Sequence, residues 1–284
     1  MKILLTGKNG FIGKSLLKNK DFLSHDITAV DRANSQLDKL NLIFKNQKVN
    51  FLIHLASTTT PNKTNSHILD DLENDIFYAI KLFDLAIKNK TECIIFLSSA
   101  GALGSYRESM PSIKSIYGLN KFFLENFLKL NSQNTETRIL NLRLSNLYGP
   151  EQIFKNNQGV IPNFYHHISS NQLINVWGDG SSKKDYLFIE DFINLMNRII
   201  EQGPSSGSFD VGSGVSYSVN QIIDIFSDIF SKKINVNYMD QLASDLSDMS
   251  IDISVTSKEF NWKPLVGLKE GIHFYTEWVK SHGK

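Results

Sequence analysis

Short apolar segments alternate with amphipathic segments of helical spacing through the first half of this chain. The amphipathic segments repeat apolar residues every three or four positions, which is typical of helices that cover a sheet. The alternation predicts right-handed βαβ units and a doubly wound parallel sheet buried on both faces, in the α/β class. The predicted strands are 2–6, 27–31, 51–55, 93–98 and 138–144, and the predicted helices lie near 11–19, 37–47, 69–89 and 115–131.

The second half of the chain is less regular, and Gly149-Pro150 interrupts the alternation. It predicts a smaller C-terminal α/β lobe that closes over the strand ends. We expect domains at 1–150 and 151–284, with segments near 185–213 returning to the first domain. The predicted helices lie near 161–171, 190–202, 218–231 and 268–280, and the predicted extended segments are 174–177, 208–211, 234–238 and 251–254.

Three glycines separate the first predicted strand from the first predicted helix. Gly7, Gly10 and Gly13 have the spacing of a turn that lets backbone N–H groups approach a pyrophosphate, with Phe11 and Ile12 supplying backbone between them. The triplet also fits a plain tight turn from strand to helix. Its context at the start of a βαβ unit favours a Rossmann-like dinucleotide site.

The cofactor preference rests on two adjacent residues at the end of the second predicted strand. Asp31 follows Gly13 by 18 positions, where an acid accepts hydrogen bonds from the adenosine ribose. Arg32 beside it is of the type that accommodates a 2′-phosphate. The pair favours NAD and leaves NADP open.

Composition excludes several other classes of protein. The 284 residues carry a formal net charge of +1 with both signs mixed, so no basic stripe indicates nucleic acid. The single Cys93 cannot form an internal disulfide and reads as a small buried hydrophobe. The chain shows no membrane-length apolar run, and its N-terminus reads as a core strand rather than a signal peptide. We expect a soluble cytoplasmic protein.

Tyr117 and Lys121 lie four positions apart in a predicted helix, and Ser99 ends a strongly apolar strand. A free tyrosine has a pKa of about 10. Lowering that pKa by about 3 units requires about 4 kcal/mol, which a lysine ammonium and an oxidised nicotinamide ring could supply together. Tyr117 would then take a proton from a sugar hydroxyl while Ser99 orients it. The alternative is a surface tyrosine beside a solvated lysine.

These motifs together resemble the extended short-chain dehydrogenases/reductases of the NAD-dependent epimerase/dehydratase family, near the nucleotide-sugar 4-epimerases. The similarity extends over nearly the whole chain in the family's order. The matching segments are Thr6-Gly-Lys-Asn-Gly-Phe-Ile-Gly13, His54-Leu-Ala-Ser57, Ser98-Ser99, Tyr117-Gly-Leu-Asn-Lys121, Arg143-Leu-Ser-Asn-Leu-Tyr-Gly-Pro150, Trp177-Gly-Asp-Gly180, Lys184-Asp-Tyr186, Phe209-Asp-Val-Gly-Ser213 and Asn261-Trp-Lys-Pro264.

The resemblance assigns roles to residues at the matching positions. It implies a catalytic trio of Ser99, Tyr117 and Lys121, of which Tyr117 and Lys121 also contact the cofactor. The remaining cofactor contacts that it implies are Leu55, Ala56, Ser57 and Ser98, and the substrate contacts are Thr58, Ser99, Asn146, Val160, Trp177 and Lys184.

Departures from the family pattern narrow the function. Ala100-Gly101 replace the acid pair that dehydratases carry after the catalytic serine, so a 4,6-dehydratase is disfavoured. Lys184 replaces an arginine, and the segment 242–248 lacks a second one, which weakens a standard diphosphate clamp. We predict a nucleotide-sugar 4-epimerase with tightly bound NAD. The alternatives are an NAD(P)H-dependent 4-ketoreductase of a 4-keto-6-deoxy sugar nucleotide and a non-catalytic binding protein.

The sequence also gives expectations for oligomerisation and for the remaining polar clusters. The helices near 69–89 and 115–131 are rich in apolar residues, which predicts a homodimer through them or simple cover for the sheet. The adjacent His166 and His167 do not share a helix face, so no metal site is expected. The acidic run at 70–75 reads as a solvated face, with Asp75 as an exception near the cofactor. A polysaccharide pathway is implied by resemblance alone.

Overall fold

Six parallel strands form the central sheet in the order β2, β1, β3, β4, β5, β9. The computed structural model describes residues 1–31, 37–57, 69, 72–103, 113, 115–155, 158–203, 205–240 and 249–282. Because all six strands are parallel, their carboxyl ends meet at one edge of the sheet. The predicted doubly wound α/β fold is confirmed. The strands are β1 Lys2–Thr6, β2 Asp26–Val30, β3 Phe51–His54, β4 Cys93–Ser99, β5 Arg138–Leu144 and β9 Gly207–Val211.

Helices cover both faces of this sheet because alternate strand residues point to opposite sides. Ile3 and Leu5 join one apolar core, and Leu4 between them joins the other. In the part of the chain that the structure describes, no helix is long and apolar enough to cross a membrane. The helices are α1 Phe11–Leu16, α2 Leu37–Asn46, α3 Tyr78–Lys88, α4 Ala100–Leu103, α5 Ile116–Asn131, α6 Val160–Ser169, α7 Ile189–Gln202, α8 Val219–Phe230, α9 Ser254–Glu259 and α10 Leu268–His282, with a π-helical turn at Leu72–Phe77.

Two small sheets lie beyond β5, and the sequence pattern found only part of them. A three-stranded sheet has the order β10, β8, β6, and β11 pairs with β7 in a parallel ladder. A third apolar core packs these strands against α6, α8 and α10. The strands are β6 Asn146–Tyr148, β7 Ile174–Trp177, β8 Lys183–Phe188, β10 Ser216–Ser218 and β11 Val236–Met239.

The extended segment predicted at 251–254 is wrong. Ser254 begins α9, and its backbone N–H donates to Asp252 Oδ1 at 2.9 Å. A side chain that accepts from the backbone two residues on favours a helical start over a strand. The Thr256 hydroxyl, inside α9, then donates to Asp210 O at 2.6 Å and fixes the helix to β9.

Helix α5 buries a different face from the one its apolar residues suggest. Lys121 and Glu125 lie on the buried side with Leu124 and Leu128, whereas Leu119 and Phe123 are about half exposed. Position 69, included in the predicted helix near 69–89, is also exposed. Helix α5 therefore covers the sheet and also carries apolar side chains on its outer surface. Phe77, on the π-helical turn, is likewise exposed.

Candidate functional site

The glycine turn after β1 is closed by contacts that leave no room for side chains at two of its three glycines. Gly7 has φ +81°, and a Cβ there would lie 2.9 Å from Ala56 N. A Cβ on Gly13 would lie 2.4 Å from Gly7 O. The Gly10 N–H donates to Gly7 O at 3.0 Å and closes the turn. The turn is thus held against the segment that follows β3.

Helix α1 begins directly after this turn, and its first backbone N–H groups do not take part in the hydrogen bonds within the helix. Its first hydrogen bond runs from Lys14 N–H to Gly10 O at 2.9 Å, so the amides of Phe11, Ile12 and Gly13 precede the ladder. Amides of this kind bind anions, and the helix dipole adds a partial positive charge. The turn therefore fits the pyrophosphate of a dinucleotide.

Asp31 follows β2 at the same edge of the sheet. Its carboxylate lies 3.6 Å from Lys8 Nζ, and Asn9 Nδ2 donates to it at 3.3 Å. Both partners belong to the glycine turn, so the acid and the turn form one surface. Arg32, the second residue of the cofactor prediction, lies outside the described residues.

The segment after β3 joins the turn to the interior. The Leu55 N–H donates to Thr6 O at 3.3 Å, and the Thr6 hydroxyl is hydrogen-bonded to His54 Nδ1 at 2.8 Å. The Ser57 hydroxyl donates to Asp75 Oδ2 at 3.1 Å. Leu55, Ala56 and Ser57 therefore lie beside the glycine turn, and Thr58 lies outside the described residues.

Ser99, Tyr117 and Lys121 come together at the end of β4. The hydroxyl groups of Ser99 and Tyr117 are hydrogen-bonded to each other. Lys121 Nζ lies 5.5 Å from the centre of the Tyr117 ring and donates to Leu97 O at 2.8 Å. Helix α5 presents both residues on one face because they are separated by about one turn.

Burial changes the acidity of both α5 groups. It raises the pKa of Tyr117 to about 12, the hydrogen bond from Ser99 opposes this rise, and the negative charge of Asp75 adds to it. Burial also lowers the pKa of Lys121 to about 8, against the opposing charges of Asp75 and Glu125. The lowered pKa expected from the sequence included the charge of an oxidised nicotinamide ring, whereas the protein groups alone raise the pKa of Tyr117. The reason is that desolvation of the phenolate outweighs the help that its protein neighbours provide.

Ser98 precedes Ser99 and is 3% exposed. Within the described ranges its Oγ has no hydrogen-bond partner. Buried hydroxyl groups are normally satisfied, so this atom is a place where a polar group of a bound cofactor fits. Together with the glycine turn, it makes the residues present compatible with a dinucleotide.

The predicted substrate contacts divide between separate elements. Asn146 on β6 donates from its Nδ2 to Asp185 O at 2.9 Å, and Lys184 lies next to Asp185 on β8. Val160 begins α6, and Trp177 ends β7 with its side chain about half exposed. Asn146 and Lys184 therefore share the three-stranded sheet, while Trp177 lies on the two-stranded one.

Two buried groups near the trio are absent from the site predicted by sequence. His54 packs against the rings of Phe83 and Phe96, and burial lowers its pKa to about 3. Asp75, on the π-helical turn, is only 7% exposed. The sequence set Asp75 apart from the other acids at 70–75, and its spacing with the buried Ala79 and Ala86 places it on the inner face of the helix. No group of three or more His, Cys, Asp or Glu side chains in the described part of the chain could hold a metal ion.

Comparison with known proteins agrees with this geometry. A model of the NAD dependent epimerase/dehydratase family matches residues 3–212. The chain is 27% identical to dTDP-4-dehydro-6-deoxyglucose reductase of Escherichia coli over 95% of each chain. It is 25% identical to a putative UDP-glucose 4-epimerase of Methanocaldococcus jannaschii over 99% of each chain. The UDP-glucose 4-epimerase of Thermotoga maritima, solved with UDP-glucose, has the same fold, with a TM-score of 0.91 and 22% identity over 100% of both chains.

Proposed function

Because this chain belongs to the NAD dependent epimerase/dehydratase family, we propose that it is an NAD-dependent nucleotide-sugar 4-epimerase. The observation that carries the proposal is the hydroxyl pair of Ser99 and Tyr117, with Lys121 beside the Tyr117 ring, at the strand edge that also holds the glycine turn. The relatives include UDP-glucose 4-epimerases, which supports the same reaction.

We assign the dinucleotide to the first domain, residues 1–150, and the sugar nucleotide to the lobe at 151–284. Segments near 185–213 return to the first domain. In this assignment the amides of the glycine turn hold the pyrophosphate, and Asp31 takes the adenosine ribose. The further cofactor contacts are Leu55, Ala56, Ser57, Ser98, Tyr117 and Lys121, and the substrate contacts are Ser99, Asn146, Val160, Trp177 and Lys184.

Bound NAD supplies an acceptor for the hydride of a sugar carbon, returns it, and carries a positive charge while oxidised. Tyr117 takes the proton of the C4 hydroxyl and returns it after the ring has turned over. Ser99 donates a hydrogen bond to the same oxygen. A pKa of about 12 would leave Tyr117 protonated at neutral pH, so the positive charge of Lys121 has to be retained for Tyr117 to act as a base.

The test is NMR of the purified protein with UDP-, dTDP-, CDP- and GDP-hexoses, with and without added NAD. We expect one C4 epimer pair to interconvert without net reduction of NAD. Tyr117→Phe should lower kcat by about 10²- to 10⁴-fold while leaving the circular dichroism spectrum unchanged. A folded, NAD-loaded protein that converts none of these sugars would refute the proposal.

A 4-ketoreductase is the second candidate because the E. coli relative is a dTDP-4-dehydro-6-deoxyglucose reductase. The same trio would serve, with Tyr117 donating its proton to the carbonyl oxygen. Stoichiometric oxidation of NADH or NADPH with a 4-keto-6-deoxy sugar nucleotide, followed by absorbance, would favour the reductase. Turnover with NAD alone and no added reductant would favour the epimerase.

We also propose that two copies of the chain pair through the outer face of α5, defined by Leu119, Phe123 and Leu130. These side chains are 51%, 46% and 64% exposed and recur at helical spacing on one face. Phe77, at the adjoining π-helical turn, is 54% exposed. A contiguous apolar face of this kind is typical of a protein interface.

Sedimentation velocity tests the pairing. We expect a dimer for the wild type and a monomer for a Phe123→Glu, Leu130→Glu double variant. Leu173→Glu is the matched control, because Leu173 is 49% exposed elsewhere on the surface. A monomeric wild type at tens of micromolar would contradict the proposal.

The cytoplasmic location stays a prediction.

A further inference from the structure

Lys121 is held in a pocket that offers its ammonium little water. The residue is 9% exposed, its Nζ donates to Leu97 O at 2.8 Å, and the Phe96 ring centre lies 4.8 Å away. A carbonyl and an aromatic face compensate only part of the cost of burying a full charge. Whether Lys121 stays charged near neutral pH therefore depends on nearby carboxylates.

Two carboxylates act on Lys121, and they differ in what else they bind. Glu125, one turn further along α5, is engaged by Arg143, with Nε at 3.0 Å from Oε1 and Nη2 at 2.6 Å from Oε2. Arg143 therefore neutralises much of the field that Glu125 exerts. Asp75 lies on a different element, the π-helical turn, which packs against α5, and its side chain is buried there. Its influence on Lys121 exceeds that of Glu125.

Asp75 is itself buried, and its neighbours are arranged around a negative charge. Ser57 donates a hydrogen bond to its Oδ2 at 3.1 Å. His54, whose pKa responds to the charges of both Asp75 and Lys121, is itself uncharged near neutral pH because burial lowers its pKa to about 3. A buried carboxylate is stable only when hydrogen bonds and an opposite charge compensate its desolvation. Lys121 is the cation in this cluster.

We propose that Asp75 is a positioning residue for the reaction, the buried counter-ion that keeps the Lys121 amine protonated beside Tyr117. An asparagine at position 75 could accept the same hydrogen bond from Ser57, so the carboxylate is needed for its charge and not for its shape. The kinetic consequence rests on the proposed function, whereas the charge state of Lys121 does not.

The proposal predicts the direction of the pH dependence. The groups that face Lys121 are Asp75 from the π-helical turn, His54 from β3, and Tyr117 and Glu125 from α5, with Arg143 of β5 behind Glu125. The charge of Asp75 raises the pKa of Lys121 and also the pKa of Tyr117, and its removal lowers both. Both limbs of a pH profile of kcat/KM should therefore move to lower pH.

The test is an NMR titration of protein labelled with ¹³C at lysine Cε, with Lys121 identified by the signal that is missing in Lys121→Met. We expect a wild-type midpoint near 8 and a midpoint lower by about one pH unit or more in Asp75→Asn. Asp75→Glu keeps the negative charge, so its midpoint should lie close to the wild-type value. Glu73→Gln is the matched control, because Glu73 is an exposed acid on the same turn, and it should leave the midpoint unchanged. Asp75→Ser is a second uncharged variant if Asp75→Asn does not fold.

An unchanged Lys121 midpoint in the uncharged variants would overturn the inference, whatever the activity. A wild-type midpoint well below 7 would also overturn it, because Lys121 would then be neutral in spite of Asp75. A shifted midpoint in a protein that converts no nucleotide sugar would uphold the inference and refute the proposed function. Where turnover is found, a pH profile shifted in Asp75→Asn and restored in Asp75→Glu would exclude a purely structural role.

Discussion

Ser99 and Tyr117 are 18 positions apart in the chain, yet their hydroxyl groups are hydrogen-bonded. That bond favours the phenolate of Tyr117, while burial and the charge of Asp75 favour the phenol. The residue types and their spacing indicated the trio. They did not indicate the direction of the Tyr117 pKa, because desolvation depends on the packing of the residues around it.

At the residue scale we predict that Ser99→Ala lowers kcat by about 10²-fold at neutral pH. Loss of the hydrogen bond raises the pKa of Tyr117 further, so the defect should shrink as the pH is raised. The measurement is kcat as a function of pH for the wild type, Ser99→Ala and a Ser99→Thr control. Ser99→Thr keeps a hydroxyl and serves as the control. A rise in KM with unchanged kcat in Ser99→Ala would contradict this role.

At the scale of elements, the strand–turn–helix at the start of the chain follows directly from its sequence, and helix α5 does not. The glycine turn is local, so spacing alone predicts it. On α5, apolar residues lie on more than one side, and the sheet selects the face with Lys121 and Glu125. Arg143 on the neighbouring strand makes that choice possible by pairing with Glu125. A one-dimensional pattern contains no information about such a partner.

At the scale of elements, the testable prediction concerns the glycine turn after β1. Gly13→Ala would place a Cβ 2.4 Å from Gly7 O and 2.9 Å from Lys8 Cα, so the backbone of the turn has to move. We expect a loss of about 1–3 kcal/mol in the free energy of unfolding and a large loss of NAD affinity. Gly267→Ala is the control, because a Cβ there meets nothing within 4 Å. Urea unfolding and calorimetric NAD titration measure both effects, and equal behaviour of the two variants would contradict the prediction.

For the whole molecule, the core of the central sheet includes a buried histidine that acid should destabilise. The pKa of His54 is about 3 in the folded protein, against an ordinary histidine value of 6.5. Between these values the unfolded chain binds one more proton at this side chain than the folded chain does. Stability from this residue is therefore complete above about pH 6.5 and is lost as the pH falls toward 3.

The corresponding prediction concerns the slope of stability against pH. Wild-type protein should lose about 1.4 kcal/mol per pH unit through His54 in this window. His54→Gln should be less stable near neutral pH but show a smaller slope, measured by urea unfolding at several pH values. His273→Gln is the control, because His273 is exposed, and its slope should match the wild type. Identical slopes for all three proteins would rule out the assigned burial effect.

The sequence by itself determined the α/β class, most strands and helices of the first half and the glycine turn, and it predicted Ser99, Tyr117 and Lys121 as a catalytic trio. Each of these depends on residue type and on spacing within one or two neighbouring elements. The sequence predicted that segments near 185–213 return to the first domain, and the tertiary structure showed that β9 within them pairs with β5 at the sheet edge. Only the tertiary structure decided that Ser254 begins a helix and that Asp75 is buried. Those outcomes depend on contacts between residues far apart in the chain. The free energies of such contacts cannot be inferred from a local sequence pattern.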